Sequence, residues 1–587
     1  MDGSGERGRP LDREGGEWSD GGKGEQDRGS CSSGLKGRPF RAGLCALAVL
    51  ALGVGWGSWW LVWQRGPLSL QHHTLTIPRA ARFVPRQAPF TLYLFSDGEQ
   101  PVDYARAVAP LRHRDEAAQT VERLRDGAFA AAGLDYHDEV AQWLAPEVGL
   151  ALLNTPEDGT GGSWLLALSS KDDDGARRFL QRFWQSRSLA GSGLQLSQYR
   201  GMGLISGRGA LVGRDPVPLA TALVQDDLVL IASGRATLER ALDVSQIDTL
   251  NQAGLPPLRQ GVERLGDGMA LLVARSGAFG PWLGWPSLER VTDGAGPLLV
   301  GTVHPLGRQL TFEGLLHLPP SPSSPPSDAP LAVAGETLPG SPSKPADEDA
   351  LERQLLKELR GAPTTLALLR DPADLLAQPW LQPLVQRIIT PPAGGPLPPR
   401  IAAADHDLLV VSTSPAGWLI GTDSQAPPPA ALEAPLAAEG LIEAPLEVGD
   451  ESVTVWTRLL AVGGQGAKGD GPEDLRATVA GWRREMDGLA WWGGGLGLLN
   501  SRPAGRDGIA RERQLAALGH PQAPLRWVLG EDDASALLQG WQPWTLLTTL
   551  AGGPLAPGLR SLALAIEPDQ APVRWTAQLQ FAETPHG

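Results

Sequence analysis

Near the C-terminus, Val573, Trp575, Ala577, Leu579 and Phe581 alternate with Arg574, Thr576, Gln578 and Gln580. A period of two places the sets on opposite faces of a strand, so this segment reads as one half-buried strand of an antiparallel sheet. The same alternation runs through residues 308–318, where Leu310, Phe312, Gly314, Leu316 and Leu318 alternate with Thr311, Glu313 and His317. Further strands are predicted at Phe90–Phe95, Val148–Leu153, Trp164–Leu168, Met269–Ala274, Leu408–Ser412, Val453–Leu459 and Leu562–Ile566. Ala220–Val224 and Leu228–Ala232, separated by Gln225-Asp226-Asp227, predict a hairpin. Helical spacing is clearest at Gly175–Ser186, where Phe179, Leu180, Phe183 and Trp184 share a face. Asp172-Asp173-Asp174 heads that segment, and carboxylates suit the positive end of a helix. Asp115–Ala132 and Leu351–Arg360 read as two more helices, and Glu473–Glu485 as helix-like. Helices scattered among antiparallel strands make the class α+β.

One pattern belongs to neither type. Residues Ala42–Trp63 form an uncharged run of 22, which as a helix reaches roughly 33 Å and spans a hydrocarbon core of about 30 Å. Trp56, Trp59, Trp60 and Trp63 end it, where indoles suit a headgroup layer. Lys36, Arg38 and Arg41 precede it and only Arg65 follows closely, so the positive-inside bias places the N-terminus in the cytoplasm and exports the body. No small-residue cleavage site follows the run, which reads as an uncleaved anchor, and Leu44 before Cys45 does not fit a lipidation site. Residues 1–41 are Gly-rich and charged and read as a disordered tail.

Beyond the anchor, the chain reads as two related copies. Ala88-Pro-Phe-Thr-Leu-Tyr-Leu-Phe-Ser-Asp97 matches Ala362-Pro-Thr-Thr-Leu-Ala-Leu-Leu-Arg-Asp371 at six of ten positions. Gly284-Trp285 echoes Gly540-Trp541, and the two alternating strands above form a third echo in the same order. Between them lies Pro319–Asp347, whose Pro and Ser content reads as an extended spacer. The expected layout is copy 1 over residues 64–318, a linker over 319–347 and copy 2 over 348–587, with mainly antiparallel sheets flanked by helices.

Charge and composition narrow the function. The formal net charge is −15, and residues 1–41 balance eight basic against eight acidic side chains, so the whole excess lies in residues 42–587. An acidic body lacks the clustered Lys and Arg that phosphate backbones need, which argues against nucleic acid as a partner. Cys31 and Cys45 both precede the exported part, so disulfides, Cys-ligated zinc and thiol catalysis have no place there. Tryptophan is abundant, 20 against four tyrosines. Trp282 with Trp285, Trp491 with Trp492, and Trp541 with Trp544 could stack on sugar rings or fill cores, and core packing is the expected use.

Chemical motifs are weak. Gly464-Gln-Gly-Ala-Lys-Gly469 has dinucleotide-loop spacing, but Glu485 and Asp487 precede the next strand instead of ending it, so a plain loop is expected. Ser341-Pro-Ser-Lys344 has S-x-x-K spacing, yet its prolines prevent the helix that this chemistry requires. Asp135-Tyr-His-Asp-Glu139 is the one local candidate for a metal, against a solvated helix start as the expected reading, and the other histidines are scattered. No catalytic, cofactor-binding or metal-binding residue is assigned.

Phe83-Val-Pro-Arg-Gln-Ala-Pro-Phe-Thr-Leu-Tyr-Leu94, Gly133-Leu-Asp-Tyr136 and Trp143-Leu-Ala-Pro-Glu-Val-Gly-Leu-Ala-Leu152 resemble an uncharacterised cyanobacterial family, catalogued as domain of unknown function 3352. The resemblance extends over most of residues 80–583, strongest before 320. It implies one N-terminal span, an exported body and a cyanobacterial membrane, and it brings no catalytic residues. The expected protein is a single-pass membrane protein with its body in the periplasm or thylakoid lumen. Its expected role is non-enzymatic binding, scaffolding or assembly, with the bilayer and unidentified envelope or thylakoid proteins as partners. The alternatives are a glycan-binding protein or hydrolase, and a carrier of apolar ligands.

Overall fold

The computed structural model describes residues 67–581, apart from 132, 155–161, 189–192, 211–215, 280–295, 320–344, 392–394, 405, 424–433, 435, 449–450, 463–473, 503, 540–544, 546–547, 550–558 and 569. The tail 1–41, the run 42–63, Ser341–Lys344, Gly464–Gly469, the Gly284-Trp285 and Gly540-Trp541 echo, Trp282, Trp544 and most of the spacer therefore lie outside the described residues. Among the described residues no helix is long and apolar enough to cross a membrane.

Residues from Gly66 onward form one compact unit. Its strands are β1 Phe90–Leu94, β2 Leu144–Leu152, β3 Trp164–Ser170, β4 Gln195–Tyr199, β5 Met202–Ala210, β6 Pro216–Val224, β7 Leu228–Ala232, β8 Ala270–Arg275, β9 Leu298–Leu306 and β10 Gln309–His317. They continue as β11 Thr365–Arg370, β12 Leu408–Ser414, β13 Gly417–Asp423, β14 Ile442–Val448, β15 Glu451–Val462, β16 Asp474–Met486, β17 Leu489–Gly494, β18 Leu525–Gly530, β19 Leu559–Glu567 and β20 Val573–Phe581. All pair antiparallel in one 20-stranded sheet. Along the first half the order is 4-5-6-7-3-2-1-8-9-10. Along the second it is 14-15-16-17-13-12-11-18-19-20, the same order with ten added. β10 pairs with β20 and joins the halves.

That junction revises the expected layout. The two alternating C-terminal strands would each have been an open edge, with unpaired N–H and C=O groups along it. Pairing them from Gln309 opposite Gln580 to Leu316 opposite Val573 satisfies both edges, so the spacer does not separate two independently packed domains. One apolar cluster also crosses the junction, joining Ala274, Phe279, Leu299 and Leu316 to Ala367, Leu369, Leu525 and Leu579.

Helices cover both faces of the sheet. On one face α1 (Gln100–Val108), α2 (Arg114–Ala131) and α3 (Asp173–Ser188) flank the first half. Phe179, Leu180, Phe183 and Trp184 of α3 are all buried there, as their spacing predicts, and the Asp172 carboxylate accepts from the Asp174 N–H at 3.1 Å. On the other face lie α4 (Arg235–Val244) and α5 (Pro256–Leu265), which bury Leu238, Leu242 and Leu258 against Tyr93 and Leu230. In the second half α6 (Pro345–Glu358), α7 (Pro372–Ala377), α8 (Gln382–Ile389), α9 (Leu397–Ala402), α10 (Gly505–Ala517) and α11 (Glu531–Gln539) divide between the two faces. α6 begins at Pro345, inside the expected spacer, because Pro is at home in a first helical turn.

Two further readings change. Glu473–Glu485 is no helix: Asp474–Met486 is a strand paired on both sides, by β15 and β17. Thr478, Val479 and Gly481 disfavour a helix interior, and two ladders of main-chain hydrogen bonds settle the outcome. The six-in-ten match at Ala88 and Ala362 falls on β1 and β11, which hold the same place in the two strand orders, but one residue out of register. Arg275 N donates to Pro89 O, and Gly530 N donates in the same position to Thr364 O, so Pro89 corresponds to Thr364 and not to Pro363. A slip of one residue exchanges the faces of a strand. The three identities that fall within both strands, Thr91 with Thr365, Leu92 with Leu366 and Leu94 with Leu368, thus align side chains that point to opposite faces, while the order of pairing carries the likeness.

Candidate functional site

The wet faces of β10 and β20 meet at the junction. Thr311, Glu313, Thr576, Gln578 and Gln580 form a polar strip between two apolar clusters on the same side of the sheet. Arg574 bridges to Glu313 at 3.2 Å. Beside them, His520 Nδ1 lies 2.9 Å from Glu567 Oε1 and its Nε2 lies 3.1 Å from Thr576 Oγ1. With the proton on Nδ1 donated to Glu567, Nε2 accepts from the threonine hydroxyl, which is the order of acid, base and nucleophile in a hydrolytic triad. Thr576 is only 2% exposed, however, and an acyl carbon must come within about 3 Å of an attacking oxygen. Separations of 47 and 56 residues left no local signal for this trio in the sequence.

A second cluster forms where α2 meets the turn Tyr136–Val140. The expected metal candidate, Asp135–Glu139, uses its carboxylates on main chain: Asp135 accepts from Asp138 N at 2.8 Å and Glu139 from Asp135 N at 3.1 Å. His137 turns instead toward Glu122 and Asp126 of α2, whose i and i+4 spacing puts both on one helix face. The buried Arg125 guanidinium stands among these groups, 2.9 Å each from Glu99 Oε1, Asp126 Oδ1 and His137 Nε2, and 4.0 Å over the Tyr136 ring. Glu122, Asp126 and His137 could offer a metal one ligand atom each, but a divalent ion placed there would face the fixed Arg125 cation, which disfavours it and suits a helix anchor. Burial, with the Glu99 carboxylate adding to it, pushes the Tyr136 hydroxyl up to about 12.

The third cluster fastens α6 to the sheet. Arg370 on β11 meets Glu348 at 2.7 Å, Glu352 at 3.0 Å and Asp349 at 3.2 Å. Arg526 on β18 meets the same Glu352. The Arg370 guanidinium holds the Asp349 carboxyl below its usual value through their hydrogen bond.

Two depressions stand out among the described residues. One depression of about 380 Å³ lies at the outer strand β14, lined by Leu436, Leu441, Ile442, Glu443, Pro445 and Trp456. A second holds about 10 Å³. Of the expected tryptophan pairs, Trp491 with Trp492 is core, and Trp456 and Trp482 are buried with it, each of the four 4% exposed or less. Trp418 lies directly across the ladder from Gly494, Trp491 from Gly421, Trp482 from Gly493 and Trp575 from Gly314, each ring lying over its glycine. Abundant Trp and abundant Gly are thus one packing device, with the ring filling the space that glycine leaves. The glycine-rich motif at 464–469 connects β15 to its antiparallel partner β16, so the helix that a dinucleotide loop opens is missing. His304 and His317, on β9 and β10, are both lowered by burial and lie in no convergent set.

A family model described as "Protein of unknown function (DUF3352)" matches residues 44–492. It takes in nearly all of the apolar run, starting before the expected residue 80, and ends in β17, before the expected 583. No curated protein matches the chain. Among solved structures, crystal form I of TP0453 is similar at 12% identity and a TM-score of 0.22, covering 41% of this chain and 79% of that one. A likeness so slight bears on neither fold nor function.

Proposed function

The chain belongs to this family of unknown function, whose match spans most of its length, and on that premise we propose a membrane-anchored, non-enzymatic module for binding, scaffolding or assembly. Residues 42–63 are the anchor and the sheet is the body it holds, in the periplasm or thylakoid lumen. The observation that carries the non-enzymatic reading is the state of the buried charges. The carboxylates around Arg125 and around the Arg370–Arg526 pair are already neutralised by buried guanidinium groups, which leaves them no acid or base poised for work. Among the described residues, apolar clusters cover both faces of the sheet. The shared strand order, with strands 1–10 matched by 11–20, supports an origin by duplication of an ancestral half.

A hydrolase is the second reading, and Glu567, His520 and Thr576 are its best footing. A fluorophosphonate probe tests it, because the reagent bonds covalently to an activated hydroxyl. The expected result is no labelling of the folded protein and no difference between the natural protein and Thr576→Val. Labelling that disappears in Thr576→Val and in His520→Ala would replace the non-enzymatic proposal.

A further inference from the structure

We propose that Arg86 and Arg275 bind the phosphate group of a small phosphate ester at the entry to β1. This adds a ligand to the binding role and does not depend on where the chain is held. Arg275 is the last residue of β8 and is half-buried. Its Nε donates to the main-chain carbonyl of Arg86 at 2.8 Å. Arg86 lies in the turn before β1, where its main-chain N–H donates to the Leu250 carbonyl at 2.9 Å and its Nη1 to the Thr249 carbonyl at 3.2 Å. Both side chains are thereby fixed to one stretch of main chain, and the acceptors they use there carry no charge.

Counter-charge is what the pair lacks. The buried arginines Arg125, Arg370 and Arg526 each meet a carboxylate. Arg86 and Arg275 pair with none among the described residues, in a chain with 66 acidic side chains against 51 basic. A guanidinium carries five N–H donors, and each of these two spends one of them. Burial, with the charge of Arg86 adding to it, lowers the Arg275 guanidinium from its ordinary value, whereas the hydrogen bond to Asp227 raises Arg79. An anion held by both arginines removes that opposition.

The second half of the sheet shows how little of this the fold requires. Gly530 stands there in the place of Arg275, and Arg511 of α10 lies over it, donating through Nε to the Pro363 carbonyl at 3.3 Å. That guanidinium also meets Gln514 Oε1 at 2.8 Å. Both halves thus bond a guanidinium to the chain just before the first strand of the order. The first half adds a second arginine and supplies neither with an acceptor side chain among the described residues. Two forks side by side suit a phosphate dianion, whose oxygens accept from guanidinium in pairs. Ile247 and Leu250, 50% and 44% exposed, flank Thr249 on the loop that Arg86 bonds, so the organic part of an ester meets apolar side chains.

Equilibrium dialysis of the full chain in mild detergent against radiolabelled inorganic phosphate tests this, with ionic strength fixed by sodium chloride. The expected result is about one phosphate retained per chain, with Arg86→Gln and Arg275→Gln each weakening retention by about tenfold or more. Arg86→Gln keeps the main-chain carbonyl that Arg275 bonds, so it reports on the site even where Arg275→Gln fails to fold. Unlabelled phenyl phosphate displaces the label at a lower concentration than unlabelled phosphate does, and acetate needs about tenfold more than phosphate. Equal displacement by phenyl phosphate and phosphate would assign the site to free phosphate and overturn the ester. Acetate as effective as phosphate would overturn the choice of phosphate. No retention, or retention unchanged in both variants, which would mean an adventitious ion only, would overturn the site.

Discussion

Replacing Glu352 by Leu lowers the stability of the body by about 3–5 kcal/mol, the usual result of removing one partner from a buried ion pair. Arg526 is 3% exposed, and Glu352 is the one carboxylate it meets among the described residues. Without it a guanidinium is left in the interior with no counter-charge. Arg370 loses one of three acidic partners and keeps Glu348 and Asp349. The expected reading is a lower urea midpoint, with unchanged slope, in tryptophan fluorescence. Replacing Glu352 and Arg526 together by Leu and Met recovers most of the loss, because the cost comes from an orphaned charge and not from lost attraction, and Arg370 keeps two acidic partners. A Glu352→Leu protein within about 0.5 kcal/mol of the natural one would contradict this placement of α6. Acid acts in the same direction. The Asp349 carboxyl is held below its unfolded value of 3.8, so its contribution is present above that pH and is lost as pH falls through the lower folded value.

Gly494→Val is the second large effect, a loss of about 3 kcal/mol, at the upper end of the usual overpacking cost. A Cβ on Gly494 overlaps the Trp418 indole, which lies across the ladder from it and is 2% exposed. Neither ring nor backbone has room to retreat, since β13 is bound by β12 on one side and β17 on the other. The cause is separable from any general intolerance of β17. Trp418→Leu costs stability alone, but combined with Gly494→Ala the two should fall short of additivity by about 1 kcal/mol or more, because the smaller side chain vacates the space the methyl needs. Strict additivity would mean that the indole does not lie on the glycine.

These cases mark what the sequence discloses. Val573 to Phe581 and Leu310 to Leu318 were legible as strands, because alternation of apolar and polar side chains is itself the signature of a half-buried strand. That the two would pair with each other was not, since nothing in either pattern says which edge satisfies it. α3 was legible from its acidic head and one apolar face, whereas β16 was not, since its charged residues resemble a helix until two neighbours bind it. The abundance of Trp and Gly was visible as composition, and its meaning depended on register: Trp482 lies on Gly493, 11 positions further along the chain, because the β16–β17 hairpin brings them opposite each other. The His520 relay and the Arg370–Arg526 pair draw on residues up to 174 positions apart, so they exist only once the sheet is closed.

The proposed role stands on tethering, and the cysteine-free body makes tethering measurable. A single cysteine is introduced at Gln198 on the outer strand β4, in a chain whose Cys45 is Ser and whose Cys31 is kept. Intact cells stripped of any outer barrier are treated with a membrane-impermeant maleimide before and after lysis. The account predicts labelling at 198 in intact cells, labelling at Cys31 only after lysis, and recovery of the protein with membranes through an alkaline wash. Release of the protein by that wash, or labelling at 198 and at Cys31 only after lysis, would contradict it.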